Sequence, residues 1–136
     1  MLHLNPKDIT LYKNLEDVFG HIINKLECQN TTKAYISNVL FKKLPPDYSG
    51  ESVTLILSQA KFAYSFELYQ NLGDWILFCQ STFPDHLKDA SPEYYSAVAQ
   101  ECYYRCYKIV NKKWLLFEEL ADNLPQFVDV IHKHLR

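Results

Sequence analysis

The sequence predicts an all-α fold, a single domain over residues 1–136 built as a bundle of six or seven helices with a long central helix. Three observations carry this expectation. Three glycines and six prolines are too few turn residues for a protein of many short strands. Apolar residues recur at three- and four-residue spacing along most of the chain. Where several of these stripes begin, a small polar residue stands before a proline or an acid, the arrangement that caps a helix. A chain of 136 residues also buries, on folding, roughly 68% of the surface its unfolded form exposes, enough for one proper core.

Asn5, Pro6 and Asp8 supply a cap, a first-turn proline and a first-turn acid, so a first helix is expected from there to about Glu27. Its stripe is Leu15, Val18, Phe19, Ile22 and Leu26. The next segment, TTKAYISNVLFKKL, places Tyr35, Val39 and Leu40 on one face behind a Thr31 or Thr32 cap, and Pro45 and Pro46 stop it. The turn-forming DYSGES leads into residues 53–83, the longest periodic segment. There Val53, Leu57, Ala60, Tyr64, Leu68, Leu72, Trp75, Ile76 and Cys79 form one stripe, and Leu55, Phe62, Phe66, Tyr69 and Leu77 form a second. A helix apolar on most of its circumference is a central one. Gly73 inside it signals either a break near Asn71 or a close backbone crossing. Ser91, Pro92 and Glu93 then cap a helix running to about Val110. Two shorter helices, KKWLLFEELADNL and PQFVDVIHKHL, are expected to follow, separated at Asn123 to Pro125.

Composition narrows the function. The net charge is -2, and only two of the fourteen basic residues are arginine, Arg105 and Arg136, so neither a phosphate-tracking stripe nor bidentate base readers can be assembled. No nucleic-acid partner is expected. The longest apolar run is the five residues WILFC and the amino terminus has no basic segment before a long apolar one, so no membrane span or secretion signal is expected and the location reads as cytoplasmic. In that compartment Cys28, Cys79, Cys102 and Cys106 stay thiols, and no CxxC pair occurs among them.

The densest stretch is SPEYYSAVAQECYYRCY, residues 91–107, with five tyrosines and two cysteines. On a helical wheel Tyr95, Val98, Ala99, Cys102, Cys106, Ile109 and Val110 share one face, so both cysteines read as core. Tyr103 and Tyr107 fall on the flank of that face and Tyr104 nearly opposite, which makes the three candidates for a homodimer contact, with burial beneath the carboxy-terminal helix as the alternative. A second candidate set is polar: Glu67 and Asp74, seven residues apart on the central helix, with Glu101 and Arg105 paired four apart on the next, either as a salt-bridge network or as a polar spot in a pocket. No glutamate has a histidine three residues later, no GxSxG elbow or HExxH occurs, and three glycines cannot build a nucleotide cradle. No catalytic residue, metal ligand set or cofactor is therefore expected.

The pattern LGDWILFCQSTFPDHL, then EYYSAVAQECYY, then LFEELADNLPQFVDVI resembles a family of uncharacterised bacterial all-helical proteins, over roughly residues 33 to 131. Those relatives tend to carry glycine where this chain has Thr82 and Gln100. The resemblance implies a helical fold and carries no activity. The functional reading is a non-catalytic interaction or scaffold protein that self-associates, as a dimer, or meets a protein partner. The alternative is a helical binding module for a small apolar or aromatic ligand near Trp75, Tyr64 and Arg105.

Overall fold

The computed structural model describes residues 20–42 and 44–135, and among them there are helices and no strands. The expected first helix lies mostly outside the described residues. Residues 20–23 are helical, and Ile22, Ile23 and Leu26 are buried.

Helix α1 spans Asn30–Ser37 and continues into a wider π turn, Asn38–Lys42, which buries Val39 and Leu40. Its start differs from the expected threonine cap. Gln29 occupies the cap position without a side-chain bond, and the cap comes from elsewhere in the fold. The Glu119 carboxylate accepts the Gln29 backbone N–H at 3.1 and 3.3 Å, and the fully buried Thr32 hydroxyl donates to the same group. An anion at a helix start satisfies donors that the helix itself cannot.

Residues 53–83 divide into two helices rather than one. Helix α2, Val53–Ala63, is capped by Ser52, whose Oγ accepts the Leu55 N–H at 3.2 Å. It ends where Tyr64 turns left-handed at φ 50°, with the Ser65 N–H reaching back to the Ala60 carbonyl at 3.2 Å. Such an ending normally uses glycine. Ser65 then caps α3, Phe66–Thr82, by accepting the Leu68 N–H at 3.1 Å. The helix runs unbroken through Gly73, which instead marks a close approach: a Cβ there would lie 3.1 Å from Cζ of the Tyr103 ring.

A short 3₁₀ turn, Pro84–His86, leads to α4, Pro92–Ile109, which begins on the expected Ser91 cap, with the Tyr94 N–H donating to Ser91 Oγ at 3.2 Å. The turn after it again uses left-handed residues other than glycine, Asn111 and Lys112, and the Lys112 N–H closes on the Tyr107 carbonyl at 2.8 Å.

The expected pair of carboxy-terminal helices is one helix, α5, Leu115–His134, with Pro125 inside it. Proline has no N–H, so the carbonyl four residues back, that of Ala121, loses its ordinary partner. The Gln100 side chain on α4 supplies the replacement, donating to the Ala121 oxygen at 2.8 Å. A contact between helices thus keeps the proline from ending the helix.

Helix α3 is the central element, with Leu72, Gly73, Asp74, Trp75, Ile76 and Leu77 buried in succession. The most extensive packing is of α4 against both α3 and α5; α2 lies on α3 and α1 on α5. Much of the aromatic content gathers at Phe117, which is 1% exposed. Its ring centroid lies 5.5 Å from Phe66, 5.6 Å from Tyr35, 6.0 Å from Trp114 and 6.2 Å from Tyr103. Edge-on and offset contacts at these separations add to the area term of burial.

Candidate functional site

The structure disperses the polar set that the sequence grouped together. Asp74, on the inner face of α3, is 8% exposed. Its Oδ1 accepts the Tyr35 hydroxyl at 2.6 Å and the Tyr103 hydroxyl at 2.7 Å, and Gln70 Nε2 donates to the Tyr35 oxygen at 3.1 Å. Residues from α1, α3 and α4 therefore meet at one carboxylate. Burial, and then the adjacent Asp74 charge, push both phenols well above the ordinary tyrosine range. They remain protonated donors, which suits them to hold helices together rather than to give up a proton at neutral pH.

Glu101 and Arg105 are elsewhere. Glu101 Oε1 lies 3.3 Å from Lys61 Nζ and 3.7 Å from the Arg105 guanidinium, so the expected pair exists but ties α4 to α2 at the surface. Glu67 is exposed in the first turn of α3, whereas Asp74 is buried. Screening by solvent leaves such an exposed pair about 0–1 kcal/mol.

The three candidate interface tyrosines are also divided. Tyr103 is fully buried and Tyr107 is 7% exposed, which corrects their placement on a shared outer patch: α4 is covered by α3 on one side and α5 on the other. Tyr104 alone reaches the surface, at 46%, with Lys108 Nζ 5.7 Å from its ring centroid. It borders an open groove of about 620 Å³ with Leu57, Tyr94, Val98, Glu101 and Asp122. A second groove, about 550 Å³, lies among Gln80, Ser96, Pro125 and His132. Neither is lined by Trp75, Tyr64 or Arg105, the residues expected around a small ligand. Trp75 is buried, its ring edge-on to Tyr48, while Tyr64 is exposed.

Cys79, Cys102 and Cys106 are buried thiols, as the core stripe requires. Burial pushes Cys79 and Cys102 up to about 12 and Cys106 further still, so none is a ready nucleophile at neutral pH. Cys106 directs its sulfur at the Phe66 carbonyl, 3.8 Å away. Among the described residues no three His, Cys, Asp or Glu side chains come close enough together to hold a metal ion. Among the same residues no helix is long and apolar enough to cross a membrane.

Among the described residues the most exposed large apolar side chain belongs to neither predicted set. Phe62 is 96% exposed and Leu55, two turns earlier on α2, is 58% exposed. Residues seven apart share a helix face, and this one lies opposite the buried Val53, Ile56 and Ala60. The flank between the two faces is held to α4 by Lys61 on Glu101 and by the Thr54 and Tyr94 hydroxyls, 2.5 Å apart. Leu55 and Phe62 do stand in the second apolar stripe of residues 53–83. Reading that segment as one central helix turned the stripe inward, whereas the break at Tyr64 leaves its first half facing solvent.

The fold and its surfaces define an all-α helical bundle with a polar knot in its core and one apolar helix face turned outward. No family model, curated protein or solved structure matches the chain.

Proposed function

We propose that the chain is a non-catalytic cytoplasmic interaction protein that self-associates, and that its contact surface is the outer face of α2 rather than the tyrosine helix. The observation that carries this reading is Phe62, whose ring stands almost wholly in water at 96% exposure one helix face away from the core. A phenyl ring left in water forgoes roughly 2 kcal/mol that burial would return. Leu55 beside it makes the exposure a patch rather than a single residue. The interior supports a binding rather than a catalytic role, since its buried polar groups hold helices together and its buried thiols are protonated. Core cysteines packed as thiols suit a reducing compartment.

Light scattering on purified protein separates the two faces. The double variant Leu55→Ser/Phe62→Ser should be a monomer with an unchanged helical spectrum, because both side chains project away from the core. Tyr104→Ser should leave the assembly of the parent chain intact. Loss of assembly in Tyr104→Ser with no loss in the α2 variant would move the contact to the groove beside α4.

A further inference from the structure

We propose that the turn joining α4 to α5 docks the protein on an anionic lipid surface, a contact separate from the outer face of α2. Residues 102–117 hold four basic residues, Arg105, Lys108, Lys112 and Lys113, and no acid, in a chain whose net charge is -2. The charge of the molecule is therefore polarised, with the negative excess elsewhere. Arg105 is engaged by Glu101, and Lys108 lies over the Tyr104 ring. Lys112 and Lys113 are exposed, and neither forms an ion pair among the described residues. The acids that follow on α5 serve other groups: Glu118 faces the Tyr107 hydroxyl and Glu119 caps α1. Glu67, exposed in the first turn of α3, offsets only part of this charge.

Two apolar side chains adjoin these cations. Trp114 is 52% exposed and Leu115 47%. The inner side of the indole rests on the Phe117 ring at 6.0 Å, with the Phe66 ring edge-on at 6.3 Å. The backbone beneath is closed by the Lys112 N–H on the Tyr107 carbonyl at 2.8 Å and the Lys113 N–H on the Val110 carbonyl at 3.2 Å. The indole is thus held half out of the fold before any contact is made, and ordering it on binding costs little. Tyr64, exposed two residues before Phe66, stands at the same end of the bundle. This composition suits a bilayer interface. An indole settles at headgroup level, a lysine stem lies along apolar surface while its ammonium reaches phosphate, and each lysine near an anionic leaflet adds attraction. A single turn does not offer the roughly 800 Å² per partner of a standard protein interface, whereas a bilayer needs no shaped counterpart.

Co-sedimentation of the full chain with vesicles tests the surface. The chain should bind vesicles of phosphatidylglycerol mixed with phosphatidylcholine, come off with added salt, and ignore vesicles of phosphatidylcholine alone. Lys112→Gln/Lys113→Gln should weaken binding about 25-fold, about fivefold per lysine, with an unchanged helical spectrum because both side chains are exposed. Lys88→Gln/Lys133→Gln makes the same change in net charge at the opposite end of the bundle, beyond α3 and in the last turn of α5, and should bind like the parent. Equal loss in the two variants would overturn the turn as the contact. Iodide quenching reads the indole. Of the two tryptophans Trp75 is buried, so the quenched emission is that of Trp114, and anionic vesicles should protect it. Binding that leaves Trp114 open to iodide would overturn its place in the contact. No binding to the anionic vesicles would overturn the lipid surface, and so would equal affinity for poly-glutamate in solution, which would put an acidic protein in its place.

Discussion

Replacing Gly73 by alanine sets two opposing effects against each other. In a helix interior alanine is favoured over glycine by about 1 kcal/mol, and Gly73 lies within α3. On that ground alone the variant would be stabilised. The added Cβ, however, would sit 3.1, 3.2 and 3.3 Å from Cζ, Cε1 and Cε2 of Tyr103, so the ring must withdraw by a few tenths of an ångström. Tyr103 has little freedom to do so. It is fully buried, stacked at 6.2 Å on Phe117, and tied by a 2.7 Å bond to the Asp74 carboxylate on the turn that carries the glycine. Overpacking of a fixed core position costs about 1–3 kcal/mol. Taking about 2 for the clash and about 1 for the helix gain, Gly73→Ala should lower stability by about 1 kcal/mol. Urea unfolding followed by circular dichroism measures this. In a Tyr103→Phe background the tie to Asp74 is gone and the ring can shift, so the alanine should cost less than it does in the parent. A Gly73→Ala protein about 1 kcal/mol more stable than the parent would refute the idea that Asp74 pins the ring.

The remaining predictions concern the interior and its titration. Gln100→Ala should cost about 1–2 kcal/mol by leaving the Ala121 carbonyl without a donor. In a Pro125→Ala background the restored backbone N–H serves that carbonyl, so the same change should cost much less; equal costs in the two backgrounds would remove Gln100 from its assigned role. Alkaline titration should weaken the fold, with the sign set by the buried acids. Cys79 and Cys102 move from the ordinary 9.0 up to about 12, so above pH 9 the unfolded chain releases protons that the folded chain retains, and stability falls. The stabilisation is whole below pH 9 and is lost progressively toward pH 12, with Tyr35 and Tyr103 adding to the fall above pH 10. Unfolding midpoints at pH 8, 9, 10 and 11 check it, and a midpoint that rises with pH would contradict the burial of these groups. A thiol reagent at neutral pH should label Cys79, Cys102 and Cys106 only after denaturation, since all three are buried.

Local signals announced the helices well where capping is local. Ser91, Pro92 and Glu93 mark the start of α4 because all three act within one turn, and Cys102 and Cys106 follow from a stripe that one helix carries by itself. The misplaced boundaries depend on contacts from far along the chain. Pro125 reads as a helix end unless Gln100, 25 residues earlier, is known to serve the Ala121 carbonyl. Of the two threonines expected to cap α1, Thr31 and Thr32, the second is buried and donates to Glu119, 87 residues away. The break at Tyr64 has no glycine to announce it, and tyrosine in a left-handed conformation goes against its local preference. That one boundary also concealed the outer face of α2, since it decides whether Leu55 and Phe62 face the core or the solvent. Asp74 was recognisable as a charge needing a partner, but the hydroxyls of Tyr35 and Tyr103 come from two other helices and could not be paired with it by spacing.

Sedimentation equilibrium of the unaltered chain across a wide concentration range tests self-association most directly. The exposed Leu55 and Phe62 face predicts an average mass that rises with concentration from that of one 16.0 kDa chain toward that of two. A mass that stays at one chain up to the highest soluble concentration would contradict it.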